Sequence, residues 1–170
     1  MNKPDSLFLH YDKGLRLLRW QWHGAMNAAQ FQQALYYLIK LSDSQKIRRW
    51  LVDTTGMPIV GTDEQAWLSE TWLPLFAKLP VKDIAIILPA SLHNQLVVET
   101  VLSDGQRYEC GEIQFFSDVT AALDWLTNSS GRGAELEQEW ESYQVSEVEK
   151  YNKGLPHGLR IANLDFPYTF

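Results

Sequence analysis

A single cysteine, Cys110, stands in a chain of 170 residues. It excludes an internal disulfide and any thiolate metal site built within one chain, so nothing argues for an oxidising compartment. Long apolar runs are also lacking, and no stretch nears the roughly 20 residues that a membrane helix needs. Near the N-terminus the apolar run Leu7 to Leu9 stops at His10, Tyr11 and Asp12, too short for a signal-peptide core. A basic stripe is missing as well. The one basic cluster is Lys46, Arg48 and Arg49 in a chain of net charge −6, which leaves nucleic acid and anionic lipid without their usual footprint. These absences predict a cytoplasmic protein with no nucleic-acid partner and no membrane insertion.

Motifs for chemistry are scarce too. The sequence has no Gly-x-Ser-x-Gly elbow, no Walker-type glycine loop and no Gly-x-Gly-x-x-Gly after a strand. His10, His23, His93 and His157 fall at no metal-ligand spacing. Cys110, followed by Gly111, belongs to no local motif that would activate it and is expected to be inert. The expectation is a non-enzyme with no metal and no cofactor.

What is present is an ordinary globular composition, 45% apolar and 21% charged. The charge divides evenly, with eleven basic and fourteen acidic groups in residues 1–130 and four and seven in 131–170, or −3 in each part. Ser6–Asp12 and Leu15–His23 are apolar segments split by Asp12-Lys13-Gly14, which predicts an antiparallel hairpin with Gly14 free to take a positive φ. Asn27 and Gln30 form a capping box for a helix with a Phe31, Leu35, Leu38, Leu41 stripe, ending near Ser42–Ser44. Trp50-Leu51-Val52 reads as a strand covered on both faces.

A second helix is expected from Thr62, with Thr62 as cap, Gln65 completing the box and a stripe of Leu68, Trp72, Leu75 or Phe76, and Leu79. Pro74 should kink or split it. Ile84–Leu88 is the next strand. Ser91 can cap a third helix carrying Leu92, Leu96 and Leu102 and closed by Asp104-Gly105, although the β-branched Val97, Val98 and Val101 fit a strand as well. Ile113–Phe116 is a further strand, and Ser117 or Asp118 caps a helix containing Leu123 and Leu126.

Alternating strands and crossover helices predict an α/β domain over residues 6–127. Its mixed, mostly parallel sheet has about five strands, an N-terminal antiparallel hairpin and about four helices. Residues 128–133 form a flexible link. Residues 134–170 hold an acidic helix, Ala134–Lys150, with a Leu136, Trp140, Tyr143 stripe, and then an extended apolar tail that must dock on its own domain or on another chain.

The junction from Trp50 to Asp63, with Val52-Asp53-Thr54-Thr55-Gly56-Met57 leading into Pro58-Ile59-Val60-Gly61-Thr62, resembles the STAS family of sulfate-transporter tails and anti-sigma-factor antagonists. It is more similar still to the bacterial branch grouped as STAS/SEC14-like, which closes on a segment like Phe116-Ser117-Asp118 and Ala122-Leu123-Asp124-Trp125-Leu126. The resemblance covers residues 6–127. It implies a binding module in regulation, with Asp53 as the strand-end aspartate and Thr62 at the position of a phosphoacceptor. Gly61 and Glu64 stand where the family has an aspartate and a glycine.

From the residues alone, Thr62 is a helix cap or a regulated hydroxyl, and Asp53 is a loop anchor in preference to a catalytic acid. Trp67 either widens the core stripe or joins Met57, Ile59 and Val60 in an exposed aromatic patch. The candidate contact surface is therefore Asp53, Thr54, Thr55, Met57, Ile59, Val60 and Trp67. The leading expectation is a protein-binding module that forms a homodimer and meets a regulatory protein partner. The alternative is a carrier or sensor holding a lipid-like ligand under the second and third helices.

Overall fold

Six facing residue pairs, from Leu7 with Trp22 to Asp12 with Leu17, join β1 (Leu7–Asp12) to β2 (Leu17–Trp22) as the antiparallel hairpin. The structure, a computed structural model, describes residues 2–153. The apolar tail beyond residue 153 lies outside them. β3 (Arg49–Asp53), β4 (Asp83–Ile87) and β5 (Glu112–Phe116) continue the sheet in parallel, in the order β1-β2-β3-β4-β5. This is the α/β architecture with a mixed five-stranded sheet that the element order predicts.

A sheet whose strands follow one another in sequence, joined by right-handed crossovers, receives all its crossover helices on one face. Those helices are α1 (Ala28–Ser44), the broken helix after β3, and α4 (Leu92–Gly105), and they share one core with Trp20, Trp22, Trp50, Val52, Ile84 and Ile86. The alternate residues Leu17, Leu51, Ala85 and Ile87 face the other way, against α5 (Val119–Leu126) and α6 (Arg132–Lys153). Strands buried on both sides explain the continuous apolar runs at β3 and β4.

Local signals place most boundaries. Asn27 and Gln30 form the reciprocal capping box of α1, at 2.8 and 2.9 Å. Ser91 caps α4 through Asn94 N, and Asp118 caps α5 through Ala121 N. The helix after β3 is split ahead of Pro74: α2 (Thr62–Trp67) passes into a π-helical turn (Leu68–Trp72) and then α3 (Leu73–Phe76). A wider turn there accommodates the hydrogen bond that proline cannot donate.

Two expectations need correction, and the inner face of α4 is a finding of the structure. The hairpin's left-handed residue is Arg16, not Gly14, while Asp12 Oδ1 receives the Leu15 N–H at 2.8 Å and so closes an Asx-type turn. The cap of α2 is Gly61, with no side-chain hydrogen bond, so Thr62 is the first helical residue and the Gln65 box does not form. In α4 the buried stripe is Asn94, Val97, Val101 and Gly105, and Leu92 and Leu96 are 70% and 55% exposed. The valines of α4 are the residues that its packing register turns toward the sheet.

The acidic helix α6 packs on its own domain through buried Leu136 and Trp140, over β1 and α5. Asn128, Ser129 and Gly131 take positive φ, so the chain turns sharply into it. Arg132 clamps it to β1 through Asp12 at 2.7 Å.

Candidate functional site

A roof of small side chains cannot fill the space over an aromatic floor. Between α4 and the sheet lies a cavity of about 570 Å³. Its floor is Trp20, Trp22, Trp50, Val52, Ile84 and Ile86. Its walls are Phe31 and Leu35 of α1 with Leu68, Trp72, Leu73 and Phe76 of the broken helix, and Val97 and Val101 roof it. Because Leu92 and Leu96 of α4 point outward, its inner face offers mainly Val97, Val98, Val101, Gly105 and Asn94, with Leu102 the one leucine of the helix on the lining. Interiors otherwise pack to crystal-like density with few voids larger than a water molecule.

The aromatic floor is held in place. Trp50 Nε1 donates to Ser42 Oγ at 3.0 Å and Trp72 Nε1 to the Leu35 carbonyl at 3.1 Å. Trp20 meets Trp50 edge-on with centroids 5.6 Å apart, and Trp72 stacks on Phe76 at 5.1 Å. Such contacts fix ring orientation as well as burying area.

At the β5 side the lining changes character. Ile113 and Phe115 of this edge strand are accompanied by the exposed residues Glu99, Ser103, Gln106 and Glu109. Phe115 is 42% exposed. The cavity therefore reaches the surface between α4 and β5, and its polar lining is gathered there. Cys110 also lines this end, and burial pushes its thiol pKa up, which keeps it protonated and a poor nucleophile.

Of the sequence-derived contact residues, only Thr54 and Met57 line the cavity. Thr54 is buried and its hydroxyl donates to the Ile87 carbonyl. Asp53 belongs to the opposite face, where its carboxylate accepts the Thr55 N–H and hydroxyl and so anchors the loop. Val60 is buried, Ile59 is 73% exposed, and Trp67 is half-buried with its ring edge-on to Tyr36 at 5.3 Å. The four-residue patch of Met57, Ile59, Val60 and Trp67 does not assemble, because only Ile59 presents its side chain fully to solvent. Thr62 is exposed.

The loop from Thr54 to Gly61 instead serves the cavity as one of its ends. Buried Asn94 accepts the Val60 N–H at 3.2 Å and donates to the Met57 and Pro58 carbonyls at 3.3 and 3.0 Å. His93 Nε2 lies 2.8 Å from the Val60 carbonyl. Four backbone groups of the loop are thus satisfied by the first turn of α4.

The other face holds a separate buried ion. The guanidinium of Arg19 lies 4.1 Å from the centre of the Trp140 ring. Burial lowers its pKa to about 10 while Asp53, Glu137 and Glu141 oppose the shift, so it is a cation at neutral pH. Stacking on tryptophan is a favourable setting for a weakly hydrated guanidinium. Trp140 thereby closes Arg19 off under α6.

Sequence reasoning missed the cavity's floor because Trp20, Trp22 and Trp50 read simply as strand core. It missed the roof because leucine outweighs valine as a core signal. The cluster Val97, Val98, Val101 was the available clue, since β-branched residues on a helix facing large aromatics leave volume unfilled. Among the described residues, no three histidine, cysteine, aspartate or glutamate side chains gather as for a metal ion, and no helix is long and apolar enough to cross a membrane. In comparisons with family models, curated proteins and solved structures nothing matches this chain, so the site is argued from its geometry.

Proposed function

We propose that this protein binds an apolar, lipid-like ligand in the cavity under α4, as a carrier or sensor and not as an enzyme. The observation that carries the reading is the cavity itself: about 570 Å³ lined almost wholly by aromatic and aliphatic side chains. That size falls within the roughly 300–1,000 Å³ of ordinary ligand sites. Keeping so large an apolar space dry has a steep cost. A dry space leaves the side chains that line it without partner atoms on one side and forfeits their dispersion contacts. Water entering from the β5 side relieves part of that cost but finds few polar partners on the floor. An apolar ligand replaces both terms with contact.

Native mass spectrometry of the gently purified chain tests this. The expected spectrum contains a species heavier than the protein by the mass of one small apolar molecule, removable by organic extraction. Protein that carries nothing, and acquires nothing when incubated with total lipid extract, would remove the reading.

A second reading follows the STAS resemblance: contact with a regulatory protein partner, with the chain itself a homodimer. Exposed Ile59, Leu92 and Leu96, near the loop that Asn94 ties to α4, favour it. Light scattering on the full chain and on a chain lacking residues 154–170 tests the dimer; a mass of one chain for the full-length protein would exclude it.

A further inference from the structure

We infer that the cavity selects a ligand with an apolar chain and a cationic, amine-type head, seated between α4 and β5. This rests on the cavity reading given above and adds the chemistry of the head group. The two charged residues that line the cavity are Glu99 and Glu109, and both are exposed at the β5 side. Among the described residues no lysine, arginine or histidine lines it. Arg107, close by in sequence, lies over the Tyr108 ring at 5.0 Å from its centre.

A second feature has the same sign. α4 ends at Gly105, beside the mouth, and the 3-10 turn Gln106–Tyr108 carries on from it. The macrodipole of α4 gives this end a partial negative charge that favours a cation, although the carbonyls of Ser103, Gly105 and Gln106 already accept from Gln106 N, Cys110 Sγ and Glu109 N. Two carboxylates and the negative end of α4 thus belong to the lining on the side where the polar end of an inserted amphiphile must emerge. A carboxylate or phosphate head would meet like charge there with no counter-ion from the lining, and like-charge juxtaposition is strongly unfavourable. An ammonium head gains attraction and finds acceptors in Ser103 and Gln106 as well.

The depth of the site fits a linear chain. From β2 to β5 the sheet spans three interstrand steps of about 4.8 Å, roughly 14 Å of apolar floor. Insertion from the β5 edge runs the chain across Ile86 and Val52 toward Trp20 and Trp22.

The test uses the full chain and three probes of one chain length, dodecylamine, 1-dodecanol and dodecanoate, each below its micelle concentration. Emission of the floor tryptophans reads binding. All three should compete for one site, with the amine at least about tenfold tighter than the carboxylate at low salt and the gap narrowing as salt screens it. In the double variant E99Q/E109Q the preference should shrink to under about threefold, while dodecanol affinity stays unchanged. Both substitutions are on exposed positions, so folding is unaffected.

The outcomes separate cleanly. Dodecanoate binding as tightly as the amine, or a preference that persists in E99Q/E109Q, overturns the head-group inference and leaves the cavity reading standing. Amine binding that dodecanol cannot displace places the amine on the acidic surface and overturns it too. If none of the three probes binds, the cavity reading itself falls.

Discussion

Asn94 is a polar side chain at 2% exposure in an otherwise apolar stripe, and its amide is fully used by the loop that ends the cavity. Truncation to alanine strands one N–H and two carbonyls in a buried setting, where each unsatisfied group costs about 1–3 kcal/mol. Asn94→Ala should therefore lower stability by roughly 2–4 kcal/mol, since some of these groups regain water, and move the melting midpoint down by several degrees in calorimetry. Thr62 predicts the opposite. As an exposed first helical residue without a capping bond it has little to lose, and Thr62→Ala should fall within about 0.5 kcal/mol of the parent. A loss above 1 kcal/mol there, roughly what a true cap contributes, would restore the capping role. His10 adds a pH dependence. It packs beneath α6 against Trp140 and Tyr143, and burial lowers its pKa from 6.5 although Glu139, 3.5 Å away, opposes the shift. The unfolded chain then takes up the proton first. The histidine's contribution is present above pH 6.5 and is lost as pH falls through that value toward the folded pKa. Urea midpoints at pH 7.5 and 5.5 should differ in that direction, and less so in His10→Gln.

At the scale of elements, legibility followed locality. The α1 capping box, the Ser91 and Asp118 caps and the strand positions depend on neighbours within four residues, and these were readable. The inner face of α4 was not, because it depends on how the helix meets the sheet: Leu96 and Val97 are adjacent in sequence and opposite in burial. A pair of substitutions separates the two assignments. Leu96→Asp should change stability by less than about 1 kcal/mol, while Val97→Asp, which places a charge against the cavity floor, should cost several kcal/mol or abolish folding. Circular dichroism and thermal melts of the two variants read the difference. The π-helical turn before Pro74 was legible as a break, but its hydrogen-bond pattern was not. The stripe of α6 was readable from Leu136, Trp140 and Tyr143, whereas its docking on β1 through Arg132 and Asp12 joins residues 120 apart.

For the whole molecule, the two faces of one sheet are used differently. One is closed tightly by α5 and α6, with small Ala85 and Ala122 in close packing and the Arg19 cation sealed under Trp140. The other carries three tryptophans under a valine roof and keeps a cavity open toward the β5 edge. The sequence disclosed the sheet and its layers, since periodicity and order decide them. A pocket under the second and third helices was the alternative expectation, but the residues that line it were not legible, because the cavity is a mismatch between surfaces that meet only after folding. Of the expected contact surface from Thr54 to Trp67, Thr54 and Met57 line one end of the cavity, and Asn94 ties the loop there to α4. The most direct measurement is a titration of the full chain with 1-dodecanol followed by tryptophan emission, run beside the variant Val97→Phe/Val101→Trp, which fills the roof. The account predicts a saturable one-to-one change in the parent, lost in a filled variant that remains folded and melts no lower. An emission that does not saturate, or that saturates equally in the filled variant, would contradict it.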